Sequence, residues 1–210
     1  MHRIRFVTVL LAFVSLAFNV RAAAPYQYLE HCHLLHNESN DGDSFHVSAE
    51  GKEFIFRTFF VDTPETSMEF PDRVREQAKY FGITPDEAVR IGKIAEQFTR
   101  NKLSQPFNVY TRWQNARGES RLPRYYAHII VGDQTLAELL VANGLARIHG
   151  EPAVMPNGTS SKNFIARLHA LEDKAKSARA GAWGLHERKL SAKPDDEWEQ
   201  MFKRPAPAAQ

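Results

Sequence analysis

The chain has one cysteine, Cys32, in 210 residues, so no intramolecular disulfide holds it together. That excludes a cystine-stapled scaffold; the lone thiol is expected to be buried, modified or paired with another molecule. Excess charge of one sign is also lacking, with 27 Lys+Arg against 25 Asp+Glu and a formal charge of +2. Nor is the N-terminal apolar run, Phe6 to Phe18, long enough to span a bilayer, which takes about 20 residues. With a basic start at His2, Arg3 and Arg5 and small residues around Ala22 to Ala24, residues 1–22 read as a signal peptide, with an uncleaved membrane anchor as the alternative. The expectation is a secreted or periplasmic protein with no stable membrane association after cleavage. Arg3, Arg5 and Arg21 leave with the signal. That leaves 24 basic against 25 acidic residues, so the formal charge falls from +2 to −1. A basic nucleic-acid coat is excluded, and any hold on a polyanion must be local.

What remains suffices for one domain with a real core, residues 23–188. Residues 189–210 are charged and then Pro/Ala-rich, and read as a tail without fixed structure. Ala24 to His36 reads as a first strand. His31, Cys32, His33 and His36 invite a zinc reading, but on a strand Cys32 points away from His31 and His33, so exposed histidines are the better reading. Asp72 to Phe81 reads as a helix closed by Gly82. Thr84-Pro85-Asp86-Glu87 is a capping box opening another, with Ala88, Ile91, Ala95 and Phe98 on one face. Phe107 to Arg112 and Tyr125 to Val131 read as strands. Between them Arg112, Arg117, Arg121 and Arg124 form the most basic local patch. Thr135-Leu136-Ala137-Glu138 is a second capping box, and Ser160 to Ala180 a last helix with Phe164, Leu168, Leu171, Ala175 and Ala178 on one stripe.

The stretch Asp41 to Thr66 organises the rest. Asp43 opens a strand with Phe45 and Val47 on one side, Glu50-Gly51-Lys52 turns it, and Glu53 to Val61 returns as an apolar strand. Arg57 is the anomaly in that strand, because a buried arginine is costly unless paired with an anion. A hairpin can bring Asp43 and Asp62 together, and two such carboxylates repel unless a hard cation lies between them. An oxygen-lined cation site beside an arginine suits phosphoryl chemistry.

These segments, Asp41-Gly42-Asp43-Ser44 and Arg57-Thr58-Phe59-Phe60-Val61-Asp62-Thr63-Pro64-Glu65, resemble the D-G-D-[ST] and R-x-x-x-[VI]-D-[TA]-P-E motifs of the staphylococcal (thermonuclease) nuclease family. Arg124-Tyr125-Tyr126-Ala127-His128-Ile129 is similar to that family's G-R-x-L-A-Y-[IV], with Pro123 where Gly is usual and Arg121 as a rival for the arginine. The resemblance implies an α+β fold, a five-stranded OB-type barrel with three to four helices. It implies a Ca2+-dependent endonuclease acting on DNA or RNA and leaving 3′-phosphates, with Mg2+ or another divalent cation as an alternative and no obligate protein partner. Asp43, Asp62 and the carbonyl of Thr63 would hold the cation, Glu65 would orient or deprotonate water, and Arg57 and Arg124 would stabilise the transition state. Two departures matter. The family's lysine-rich loop is here Thr66-Ser67-Met68-Glu69-Phe70-Pro71, and its tyrosine platform after Gly144-Leu145-Ala146-Arg147 is replaced by Gly150-Glu151-Pro152-Ala153. A non-catalytic nucleic-acid-binding barrel and a hydrolase of another phosphodiester are the alternatives.

Overall fold

A bulge shapes the first strand of the computed structural model, which describes residues 24–118 and 122–187. In β1, Gln27–Leu34, pairing with β5, Phe107–Asn115, shifts register between Leu29 and Cys32, where His31 takes a φ of 51°. The extra residue turns both Leu29 and Cys32 into the core and leaves His31 and His33 exposed. Burial pushes the Cys32 thiol up to about 11. With Cys32 inside and His31 and His33 exposed, the thiol and the two imidazoles stand on opposite sides of the strand, and among the described residues no three His, Cys, Asp or Glu side chains are grouped to hold a metal. The strand stops at Leu34 rather than His36. There the Asn40 side chain takes over the ladder, donating to the Leu35 carbonyl at 2.8 Å and accepting from the His46 amide at 2.9 Å.

β2, Ser44–Ala49, and β3, Lys52–Thr58, form a hairpin in which Ser44 faces Arg57 and Ala49 faces Lys52. Its two-residue turn, Glu50-Gly51, has φ of 51° and 72°, the left-handed pair that matches strand twist. The returning strand does not run unbroken to Val61. Phe60 turns at φ 71°, which buries both Phe59 and Phe60, and the chain leaves the barrel as β4, Val61–Asp62. β4 pairs with β8, Arg147–Ile148, with Asp62 opposite Arg147.

The barrel closes in the order β3-β2-β1-β5-β6, with β6, Arg124–Val131, returning parallel to β3. Alternation then sorts the faces. Phe45, Val47, Phe56, Val109, Ala127 and Ile129 fill the interior. Register places Ser44, Ile55, Arg57, Arg124 and Tyr126 together on the outside. This is an OB-type α+β fold, five strands closed into a barrel with four α-helices.

α1, Pro71–Phe81, ends at Gly82 in the left-handed region, and α2, Pro85–Lys102, starts on the Thr84–Glu87 capping box. Ala88, Ile91, Ala95 and Phe98 are all buried. After the short strand β7, Gln134–Thr135, α3, Leu136–Ala142, starts on the Thr135–Glu138 box. α4 spans Ser161–Ser177, and a 3-10 helix, Gly181–Glu187, closes the described chain. Ala178 caps α4 and is exposed; Glu172 is buried on this helix instead, accepting from the Tyr80 hydroxyl and from Lys176. The expected signal peptide, the tail from residue 189 and Arg121 lie outside the described residues. No helix among those described is long and apolar enough to cross a membrane.

Candidate active site

The site lies where the β2–β3 hairpin, the β4 exit and the start of α1 meet. Asp41 begins it as a turn residue, its Oδ1 accepting from the Asp43 amide at 2.9 Å and the Ser44 amide at 2.6 Å. Gly42 lets this turn press against its neighbours, since a Cβ there would stand 2.7 Å from Thr63 Cγ2 and 2.8 Å from Ala95 Cβ. Asp43 is 1% exposed, and its Oδ2 accepts from the Thr63 amide at 2.9 Å and from Arg57 at 3.3 Å. Burial pushes its carboxyl up, Arg57 opposes this, and the Asp62 charge adds to it. Asp41 is raised further, by burial and by the charge of Asp43.

Asp62 is the hub. Its Oδ1 accepts from Arg57 at 2.7 Å and from Arg73 at 3.0 Å. Its Oδ2 accepts from Arg147 Nε at 2.8 Å and Gln77 Nε2 at 2.9 Å. Burial alone would raise this carboxyl, yet the Gln77 hydrogen bond and the three guanidiniums hold it below its ordinary value. Arg57 is thus paired with both Asp43 and Asp62, which accounts for an arginine in an apolar strand. Those carboxylates hold its guanidinium firmly protonated against the opposing effect of burial.

Gln77, fully buried, fastens the next turn of chain. Its Nε2 also donates to the Thr63 carbonyl at 3.0 Å, and its Oε1 accepts from the Glu65 amide at 2.9 Å. Behind it α2 touches the Pro64–Glu65 backbone at Gly92, where a Cβ would stand 2.2 Å from the Glu65 carbonyl oxygen. Glu65 is pinned by its backbone while its side chain, 21% exposed, reaches Arg73 at 2.8 Å. Burial raises this carboxyl; Arg73 opposes the rise, and Asp62 and Asp43 add to it.

Arg124 enters from β6, beside Ile55 of β3. Its Nε donates to the Arg117 carbonyl at 2.9 Å and its NH1 to Ser44 Oγ at 3.4 Å. Partial burial, and next the Arg57 charge, push its pKa down, so the two guanidiniums share one field. Tyr126 sits opposite Arg57 in the β3–β6 register and stacks on Phe59 at 5.1 Å.

The structure therefore brings Asp43, Asp62, Thr63, Glu65, Arg57 and Arg124 to one end of the barrel. Sequence reasoning missed Gln77, Arg73 and Arg147 as members of the site. Gln77 carried a signal, being polar on the helix face shared with Val74, Ala78 and Phe81. Arg147 stood in the Gly144-Leu145-Ala146-Arg147 segment, but nothing there pointed to its partner Asp62, 85 residues away, until β8 was paired with β4.

No curated protein matches the chain. The family described as Staphylococcal nuclease homologue matches residues 56–184, a span that includes Arg57, Asp62, Glu65 and Arg124 and begins after the Asp41–Asp43 turn. That match covers more than half of the sequence, and the chain belongs to the staphylococcal nuclease family.

Proposed function

We propose that this protein is an exported, divalent-cation-dependent nuclease that hydrolyses phosphodiester bonds of DNA or RNA. The observation that carries the reading is the convergence of Asp43, Asp62 and Glu65 with Arg57 and Arg124 at one end of the barrel. The donor set fits a hard cation. Asp43, Asp62 and the Thr63 carbonyl offer oxygen alone, and burial with a neighbouring carboxylate charge pushes both acids of the turn up, Asp43 acting on Asp41 and Asp62 on Asp43. Bound there, Ca2+ or Mg2+ supplies a Lewis acid that draws charge from a phosphate oxygen.

The chain's own groups do the rest. Glu65, held by Gln77 through its backbone, orients the attacking water and accepts its proton. Arg57, fixed by two carboxylates, and Arg124, fixed by the Arg117 carbonyl, donate to nonbridging oxygens as their charge grows. Water oxygen bonds to phosphorus, the bond to the 5′-oxygen breaks, and that oxygen leaves with a proton from solvent, giving a 3′-phosphate. Nothing in this scheme selects deoxyribose over ribose.

Purified protein is incubated with single-stranded DNA, RNA and a small phosphodiester, with Ca2+, with Mg2+ and with chelator. Cleavage of polynucleotide that chelator abolishes supports the reading. Cleavage of the small ester alone points to another phosphodiester, and polynucleotide binding without cleavage points to a binding module. Ca2+ alone should bind weakly in calorimetry, with Kd about 10⁻⁴–10⁻³ M, as for sites of few charged ligands.

A further inference from the structure

Asp62 has more guanidinium partners than its neutralisation requires. Arg57 and Arg147, with side chains 12% and 7% exposed, already pair with it from within the protein, and Gln77 adds a buried hydrogen bond. Arg73 is different in kind. Its side chain is 47% exposed, and it touches the site through one nitrogen only, NH2, which lies 3.0 Å from Asp62 Oδ1 and 2.8 Å from Glu65 Oε1. Among the described residues its Nε and NH1 make no hydrogen bond. An ion pair whose cation stands half in solvent, on a carboxylate already satisfied by buried partners, contributes little to stability, so holding the fold is a poor account of this one.

Its place in the chain is equally telling. From Thr58 through Asp72 there is no lysine or arginine, so Arg73 is the first cation after the β3 strand. The loop before it carries exposed Met68 and Phe70 instead. The segment that leads from Glu65 into α1 therefore brings Arg73 as its first positive group. Arg73 stands in the first turn of α1, next to Arg57, with which it shares Asp62 Oδ1. A guanidinium anchored by one nitrogen, on a side chain about half exposed and with Nε and NH1 unused, has donors left to take a phosphate oxygen without leaving the carboxylates.

We propose that Arg73 is a third substrate-binding arginine, holding a phosphate of the polynucleotide beside the scissile bond through its Nε and NH1. The inference rests on the nuclease reading above and adds a binding contact to it.

The test uses purified protein and a fluorescein-labelled single-stranded oligonucleotide in chelator, with anisotropy titrations at several KCl concentrations. Loss of one phosphate contact on single-stranded nucleic acid lowers the slope of log K against log salt by about 0.7. Arg73→Gln is expected to lower the slope by that amount and to weaken binding about five- to tenfold at low salt, while Arg73→Lys keeps most of the slope. Arg75→Gln is the control, since Arg75 pairs with Asp72 on the same helix and makes the same change in net charge. Equal urea midpoints for wild type and Arg73→Gln are expected, and they separate substrate binding from a structural role. An unchanged slope in Arg73→Gln, an equal fall in Arg75→Gln, or a wild type that cleaves without salt-dependent binding overturns the assignment and leaves the nuclease reading standing. A wild type that neither binds nor cleaves DNA or RNA removes that reading, and this one with it.

Discussion

Gln77→Met is the most informative single change in this protein. Methionine keeps the length and nearly the volume of glutamine, so the effect reports lost polar bonds rather than a cavity. Three bonds disappear: to Asp62 Oδ2 at 2.9 Å, to the Thr63 carbonyl at 3.0 Å and from the Glu65 amide at 2.9 Å. A bond to a charged group is worth about 1.5–3 kcal/mol and each neutral one about 0.5–1.5, with buried partners left unsatisfied. The expected loss is about 3–5 kcal/mol, a large part of a typical stability of about 5–15 but short of abolishing the fold. Urea unfolding followed by tryptophan fluorescence should show a lower midpoint at an unchanged slope. Activity should suffer separately, because Gln77 Oε1 fixes the backbone from which Glu65 projects. Displacements of about 1 Å cost on the order of 10²-fold, so kcat should fall about 10–100-fold with KM changing far less. A midpoint shift worth less than about 1 kcal/mol, together with kcat within about twofold of wild type, would refute the role given to Gln77.

Two further outcomes are expected. Arg57→Lys and Arg124→Lys keep the charge but lose the fork, so each should lower kcat by about 10²–10³ with a smaller change in KM. Arg57→Ala should also cost about 3 kcal/mol of stability in urea unfolding, since it strips counter-charge from buried Asp43 and Asp62, whereas Arg124→Ala should not. Loss of activity in Arg121→Lys with Arg124→Lys silent would show that the second arginine has been assigned to the wrong residue. The third expectation concerns acid stability. His128 is buried, its Nε2 lies 2.9 Å from the Tyr26 hydroxyl, and burial, then the Arg112 charge, push its pKa down to about 3. Unfolded, it titrates near about 6.5, so between these values the unfolded chain binds more protons and stability rises with pH. Acidification from pH 6.5 should therefore cost up to about 1.4 kcal/mol per unit, and His128→Gln should flatten that dependence in urea midpoints. An unaltered slope in the variant would mean that His128 is not the group responsible.

The local signals in the sequence were sufficient wherever the physics was local. Both capping boxes, at Thr84 and Thr135, open helices, because a hydroxyl and a carboxylate three residues apart satisfy free amides without outside help. The hairpin turned at Glu50-Gly51, where Gly51 takes left-handed backbone at no steric cost, and alternation in Phe45, Val47 and Phe56 told inside from outside. Arg57 was legible as a residue needing anions, since an unpaired charge in an apolar strand is too costly to persist. What the sequence could not disclose depended on where chain segments travel after leaving the barrel. The left-handed turn at Phe60 breaks the expected strand and carries Asp62 across to β8, an outcome set by burial of two phenylalanines rather than by strand propensity. The bulge at His31 likewise arose from pairing with β5 and the need to bury both Leu29 and Cys32. Only tertiary packing could deliver Arg147 to Asp62 and aim Gln77 at the Thr63–Glu65 turn, because neither contact has a periodicity or spacing that announces it. Residues able to bear chemistry could be named one by one from their types, but their shared setting is a property of the fold, in which four donors converge on one buried carboxylate from β3, β8 and α1.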